Sequence, residues 1–475
     1  MSAYDLIVIG SGPAGRRASI QAAKLGKSVL VIDRHPQVGG VSVHAGTIPS
    51  KTLRETILNL SGYRERGFYG RTYRVKKEIS ADDLRERLSL TLDHEVETLE
   101  HQFARNRVTI VTGHARFIDP HTIEVQKPNG ACTRFTASCF IIAVGTKPFR
   151  PPEIPFDGET VLDSDEILSL KRLPRTLTVI GAGVIGLEYA TMFSALDLQV
   201  TLIEPRMTML DFVDREIIEE FTHDLRQRGV ILRLGCKVAS IERGTESGCR
   251  IQLEDGRIVR TDAVLFAAGR MGATEDLQLE SVGLTADQRG RIAVTKDDFR
   301  TAVPHIFAAG DVIGFPSLAS TSMEQGRIAA CTAFGQPAHD APTFFPYGIY
   351  AIPEISMIGM TEEEVRLRGK PFECGVARFR ETSRGQIMGL ATGFMKMIFD
   401  LEDRRLLGVH IVGEGATELI HIGQAVLNLG GTVDYFVENT FNYPTLAEAY
   451  KIAALDAWNR MPKSDGVLKV ESIAS

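Results

Sequence analysis

Asp5-Leu6-Ile7-Val8-Ile9 is an apolar run rich in β-branched residues, and it ends in glycines. Behind it, Ala14, Ala18, Ala22 and Leu25 fall on one side of a helical period, and Gly26 marks the stop. Ser28 to Ile32 is a second apolar run, closed by Asp33. The pattern predicts strand, turn, helix and strand, one βαβ unit. The same layout returns at Leu177, where LTVIGAGVIGLEYATMFSALDLQVTLIE ends in Glu204. Between the two, Phe140 to Gly145 reads as a buried strand, and Pro148, Pro151, Pro152 and Pro155 read as a linker. Ala263 to Arg270 and His305 to Gly314 are two further apolar runs, ending in Gly-Arg and Gly-Asp. Past about Pro342 the texture changes. TGFMKMIFD and LLGVHIVG predict antiparallel strands, and GATELIHIGQAVLNLG and PTLAEAYKIAALDAWNRM predict amphipathic helices. The residues from Lys463 onward predict a loosely ordered tail.

This order of elements predicts an α/β protein with two Rossmann-like dinucleotide-binding domains and a C-terminal α+β domain. A length of 475 residues suits about three domains and large cores without disulfides or metals. A net charge of −6 argues against nucleic acid or an anionic membrane as partner. The six cysteines, Cys132, Cys139, Cys236, Cys249, Cys331 and Cys374, show neither CxxC nor zinc spacing, so reduced structural thiols and no metal are expected. Met1 to Tyr4 leads straight into the first strand, and no apolar stretch reaches membrane-spanning length. A soluble cytoplasmic protein is expected.

Gly10-Ser11-Gly12-Pro13-Ala14-Gly15 has the form GxGxxG. Gly10 permits the tight turn, Gly12 lets the backbone approach a pyrophosphate, and Gly15 lets helix and strand pack closely. The helix start offers unpaired N–H groups and a positive dipole end to the phosphates. Asp33, at the end of the next strand, is placed to accept ribose hydroxyls. Gly181, Gly183 and Gly186 repeat the motif, with Glu204 as the second acid. A carboxylate there favours the 2′-hydroxyl of NAD, while Arg206, two residues on, can pair with the 2′-phosphate of NADP or simply be a solvated arginine. Two such sites in tandem suit a flavoenzyme, with FAD as fixed carrier and a nicotinamide nucleotide as visitor.

GSGPAG, GGxxxxxGTIPSK, GAGVIGLE, AAGR, AAGDVIG and PTLAEAY occur in this chain in an order that resembles the pyridine nucleotide–disulfide oxidoreductases. The likeness covers residues 4 to 460. It implies FAD-binding segments at 1–150 and 271–340, an NAD(P)-binding domain at 151–270 and a dimerisation domain at 341–475. The dithiol members carry a pair of cysteines where this chain has Ser42 and Thr47, and a His where it has Tyr443; Glu448 matches the carboxylate that orients that base. A hydroxyl forms no disulfide and stays protonated at neutral pH. Both thiols and their base are gone together, and every nucleotide feature remains. That combination is similar to the FAD-containing NAD(P)+ transhydrogenase subgroup, although its members often keep the first cysteine.

The resemblance implies hydride transfer from NADPH to tightly bound FAD and on to NAD+, in ping-pong order, or alternatively to a quinone or other acceptor. It implies that Lys51 sits beside the flavin paired with Glu188, and that Gly39, Gly40, Ser42 and Thr47 line the same pocket. Ser317, Leu318, Ala319 and Ser320 are expected to open a helix toward the flavin, and Asp311 to hold a ribityl hydroxyl. Ala115, Gly145, Val238 and Gly269 complete the expected cofactor-binding set, and His44 is expected to be structural. A homodimer or higher homo-oligomer is implied, with no nucleic acid or membrane partner.

Overall fold

The computed structural model describes residues 2–244, 248–338 and 344–462, so the tail expected from Lys463 lies outside the described residues. Its first sheet is built on Ser2–Ile9, which pairs in parallel with Val29–Asp33 on one side and Cys132–Ile142 on the other. Thr109–Thr112 extends the sheet beyond Val29–Asp33, and Ile306–Ala308 pairs in parallel with Cys132–Ile142. Successive side chains of the first strand enter different cores. Leu6 and Val8 join Ala14, Ala18 and Ala22 of the helix Pro13–Lys24. Ile7 and Ile9 join Phe117, Phe140 and Ile142. A strand buried on both faces must be apolar throughout, which is why it reads as an unbroken run. Pro13 stands at the start of its helix, where the missing N–H costs nothing.

The second sheet repeats the plan. Ile231–Leu234, Gln199–Glu204, Thr176–Ile180, Ala263–Phe266 and Val161–Asp163 lie in that order, all parallel. The helix Val184–Ala195 is buried from Gly186 to Ala195 and so has no polar face. Three antiparallel strands, Val238–Arg243, Cys249–Leu253 and Ile258–Thr261, form a small sheet of their own.

The C-terminal region is α+β, as expected. Five antiparallel strands run in the order Tyr347–Ile349, Glu354–Gly359, Leu406–Gly413, Phe394–Asp400 and Phe372–Arg378. Ala416–Asn428 and Glu448–Arg460 are helices, and Phe379, Phe399, Phe436 and Tyr450 fill the core. The chain groups into two compact units. Among the described residues, one comprises 2–66, 71–210 and those of 225–338, and the other 67–70, 211–224 and 344–462. Residues 211–224, expected with the NAD(P) segment, thus group with the C-terminal sheet, because Asp214 is tied to Lys396 of its strand Phe394–Asp400. Among the described residues, no helix is long and apolar enough to cross a membrane.

Candidate functional site

The two glycine motifs fold alike. Gly10 and Gly181 take φ of 103° and 104°, in the region open to glycine. A Cβ on Gly181 would stand 2.6 Å from the Ala267 carbonyl oxygen, and one on Gly10 would collide with the Ala143 carbonyl. A Cβ on Gly15 would strike the Gly10 carbonyl, and one on Gly186 the Gly181 carbonyl. The protein's own packing therefore requires the first and third glycines. It does not require the second. Gly12 and Gly183 have φ of −63° and −76°, and no protein atom comes within 4 Å of a Cβ built on Gly183. On Gly12 the nearest atoms are Gly39 O and Gly40 Cα at 4.0 Å. A side chain at Gly183 would meet open space, and one at Gly12 only ordinary contact.

Ser80, Thr361 and Thr382 cap their helices with side-chain hydrogen bonds, whereas Thr47–Ser61, Ala416–Asn428 and Glu448–Arg460 have no such cap. The helices that open at Gly12, Gly183 and Leu318 have no side-chain cap. Their first-turn N–H groups and positive dipole ends remain for an anion or polar ring edge. The third of these, Ala319–Ala333, starts within the expected Ser317–Ser320 stretch. Ser317 has φ of 50°, and its hydroxyl donates to the Gly314 carbonyl at 2.8 Å. The helix packs so closely on Pro13–Lys24 that a Cβ on Gly326 would collide with the Ala14 backbone.

Each acid ties down its own turn. The buried Asp33 carboxylate accepts from the Ser11 N–H at 2.8 Å and from the Ser11 hydroxyl, which in turn accepts from the Gly39 N–H at 2.9 Å. Its other oxygen accepts from the His35 N–H at 2.9 Å. Glu204 does the same, accepting from the Ala182 N–H at 2.7 Å and the Arg206 N–H at 3.1 Å. The Arg206 guanidinium also donates to it at 2.9 Å. Burial alone would raise the Glu204 carboxyl, but the Arg206 side chain and the two N–H groups hold it below the usual range. It is therefore an anion at neutral pH with an arginine already beside it.

Lys51, on the helix Thr47–Ser61, meets Glu188, on the helix Val184–Ala195, although 137 residues separate them. The ammonium donates to both carboxylate oxygens, at 2.9 and 2.8 Å. Glu188 is buried, so the pair is held in one geometry. Near it, Gly39 and Gly40 lead into the short helix Val41–His44. A Cβ on Gly40 would lie 2.9 Å from Gly12 Cα, which brings this loop against the first glycine turn. The Ser42 hydroxyl donates to the Gly39 carbonyl at 3.0 Å, and Thr47 begins its helix. His44 bonds the Val38 carbonyl at 2.9 Å through Nε2.

Arg270 escaped the sequence reading except as the last letter of AAGR. Its guanidinium donates to Thr146 Oγ1 at 2.9 Å and to the Thr146 carbonyl at 3.0 Å. It also reaches Ser164 Oγ at 3.1 Å and Asp165 at 2.8 Å. The short strands Thr146–Pro148 and Arg270–Gly272 pair here, between the flanking glycines Gly145 and Gly269, both at positive φ with no protein atom near a Cβ. Burial raises the Asp311 carboxyl, against Arg270 and hydrogen bonds from Ser322 and Thr146. Ala115 is a core residue of His114–Asp119, so only its backbone is available to a ligand. Val238 begins Val238–Arg243 and is half-buried.

Tyr443 and Glu448 lie in the C-terminal unit. Tyr443 is 69% exposed and its hydroxyl bonds Ser383. Glu448 opens the helix Glu448–Arg460, with one buried carboxylate oxygen that has no hydrogen-bond partner among the described residues. No group of metal-ligating side chains occurs among the described residues.

Residues 4–326 match the pyridine nucleotide-disulphide oxidoreductase family, and residues 345–454 match that family's dimerisation domain. A protein named soluble pyridine nucleotide transhydrogenase, from Mycobacterium bovis (strain BCG / Pasteur 1173P2), is 51% identical over 97% of this chain and 98% of its own length. A protein of the same name from Colwellia psychrerythraea is 43% identical over 96% of this chain and 98% of its own. Among solved structures, LpdA from Mycobacterium tuberculosis superposes with a TM-score of 0.87 at 25% identity, over 96% of this chain and 99% of that one. The HOCl-induced flavoprotein disulfide reductase RclA from Escherichia coli, as its Cu(II) complex, gives 0.85 at 27% over the same shares. The duplicated glycine turns with their acids, the Lys51–Glu188 pair and the matched sequence together show that the chain belongs to the pyridine nucleotide-disulphide oxidoreductase family.

Proposed function

We propose that this protein is a pyridine nucleotide transhydrogenase, moving hydride between NADP(H) and NAD(H) through tightly held FAD and without a dithiol. The observation that carries the reading is the Lys51–Glu188 pair, its carboxylate buried, standing beside a loop with Ser42 and Thr47 in place of thiols. The relatives named transhydrogenase support it.

Gly10, Gly12 and Gly15 would hold the FAD pyrophosphate, Asp33 its ribose, and Asp311 with the first turn of Ala319–Ala333 its ribityl and ring edge. When bound, the flavin supplies a two-electron carrier that takes hydride from one nicotinamide and returns it to another. Lys51 places a fixed positive charge where negative charge develops, and Glu188 keeps that ammonium from swinging into solvent. Ser42 is tied to the Gly39 carbonyl and offers no nucleophile. The second turn, Gly181 to Gly186, takes each nicotinamide nucleotide in succession. Glu204 accepts the 2′-hydroxyl of NAD(H), and Arg206 turns to the 2′-phosphate of NADP(H). Charge at this locus is close to balanced in the Glu204–Arg206 pair, which suits a site that must admit both. The dimerisation match supports a homodimer, and the cytoplasm is its proposed place of action. The domain limits 1–150, 151–270, 271–340 and 341–475 go with this reading, with 211–224 grouped with the last.

The test follows hydride from NADPH to thio-NAD+ without oxygen, on protein whose visible spectrum shows bound flavin. Parallel double-reciprocal lines are expected, because one nucleotide must leave before the next enters. Rapid flavin reduction with negligible reoxidation by thio-NAD+ would sink the proposal and point to another acceptor.

A further inference from the structure

The chain passes between the first and second sheets twice, and the two passages pair as the short strands Thr146–Pro148 and Arg270–Gly272. Arg270, 16% exposed in its side chain, grips both sides of this crossing. Its Nε donates to Thr146 Oγ1 at 2.9 Å, and its other nitrogens are taken by the Thr146 carbonyl, Ser164 Oγ and Asp165. An arginine carries donors and no acceptor. The Thr146 oxygen is therefore the acceptor in this contact, and its own hydrogen must point elsewhere. The Asp311 carboxylate takes it, beside a second hydrogen bond from Ser322. Thr146 is buried, and Arg270 fixes a hydroxyl rotor that would otherwise be free to turn. The result is a chain from Arg270 to Thr146 to Asp311 in which each hydrogen bond polarises the next. Burial works against the Asp311 charge, and Arg270 and the two hydroxyls oppose that effect. The backbone at this point is held independently, because the Gly310 N–H donates to the buried Gln325 side chain at 2.8 Å. What the Thr146 hydroxyl adds is the aim of the carboxylate.

We propose that Arg270 is a positioning residue for Asp311: through the Thr146 hydroxyl it aims the carboxylate at a ribityl hydroxyl of the flavin. The inference rests on the reading of Asp311 as the ribityl acceptor.

FAD release from the diluted holoenzyme is followed by the rise in flavin fluorescence, beside the melting temperature. Thr146→Val keeps the shape and removes the hydroxyl, while Thr146→Ser keeps the hydroxyl and removes a methyl. Thr146→Val speeds release about tenfold, the scale of one hydrogen bond to a charged group, and Thr146→Ser stays within about twofold. Arg270→Met also speeds release about tenfold, yet adds less than about twofold in the Thr146→Val background, because both act through one hydroxyl. Asp165→Asn, which loosens Arg270 only on its other side, stays within about twofold. The reverse order for the valine and serine variants, wild-type release in Arg270→Met at any melting temperature, or losses that multiply in the double variant overturn the proposal. If Arg270→Met does not fold, Arg270→Lys decides. It keeps the cation but loses the fork that serves Thr146 and Asp165 together, so release faster by about threefold supports the proposal and wild-type release overturns it. Holoenzyme that keeps FAD but passes no hydride from NADPH to thio-NAD+ ends the transhydrogenase reading, and the release measurements still decide this inference. Protein without flavin, or an Asp311→Ala variant that keeps FAD as the wild type does, ends the reading of Asp311 and this inference with it.

Discussion

Arg206 and Glu204 occupy one locus, and that arrangement makes a sharper demand than either residue would alone. The Arg206 guanidinium rests on the Glu204 carboxylate at 2.9 Å. In the proposed function a 2′-phosphate draws it away, while a 2′-hydroxyl needs only the carboxylate lone pairs that the turn leaves over. Arg206→Ala should therefore weaken NADPH by about 1.5–3 kcal/mol, the range for a hydrogen bond to a charged group, or tenfold and more. NADH should change by less than about threefold, because the freed Glu204 still accepts its ribose. Equal losses for both nucleotides in flavin-reduction titrations would contradict the shared-locus account. At this scale the sequence reveals residues that sit inside a motif. Glu204 follows from the βαβ layout, Arg206 only from its place two residues on, and Lys51 and Glu188 from a resemblance. Arg270 does not, because its partners Thr146, Ser164 and Asp165 lie more than a hundred residues upstream and in no repeating pattern.

In the βαβ elements the first and third glycines serve the fold, and the proposed function gives the second to a ligand. Gly181→Ala places a methyl 2.6 Å from the Ala267 carbonyl oxygen at a φ of 104°, so it should cost about 2 kcal/mol or more of stability. Gly183→Ala meets no protein atom at an ordinary φ of −76°. It should keep stability within about 1 kcal/mol and still lose nucleotide affinity. Thermal melts paired with NADH titrations check this, and a destabilised Gly183→Ala would show that the fold itself needs the second glycine. The same elements explain what was legible beforehand. Ser2–Ile9 and Thr176–Ile180 are central parallel strands, and burial on both faces writes them as apolar runs. Val238–Arg243 and Ile258–Thr261 are edge strands of a small sheet, with exposed and charged positions, so periodicity hides them. Thr146–Pro148 and Arg270–Gly272 are too short to carry any period.

Over the whole molecule, stability should depend on pH through the groups that folding has displaced. His410 is fully buried, and its Nε2–H donates to the Met360 carbonyl at 2.8 Å. Nδ1 has no hydrogen-bond partner among the described residues, and burial lowers the pKa despite the nearby Asp214 and Glu363. A depressed histidine binds fewer protons folded than unfolded. Its contribution is therefore intact above about pH 6.5 and declines as the pH falls below it. Glu362 adds to the acid side: burial would raise it, but Lys396 and Arg366 hold it low, so its share is lost below about pH 4.3. On the alkaline side the signs reverse. Burial pushes the Cys374 thiol up to about 12, so its contribution is present below the unfolded value near 8.5 and fades as pH rises through the folded one. Lys396, raised by its carboxylates, follows the same sense above about pH 10.4. Melting temperature should thus be flat between about pH 6.5 and 8.5 and fall on both sides, with Cys374 resisting alkylation until the fold opens. A midpoint that climbs steadily from pH 7 to pH 5, or Cys374 modified in native protein at pH 8, would show that the cluster around Lys396 is hydrated rather than buried.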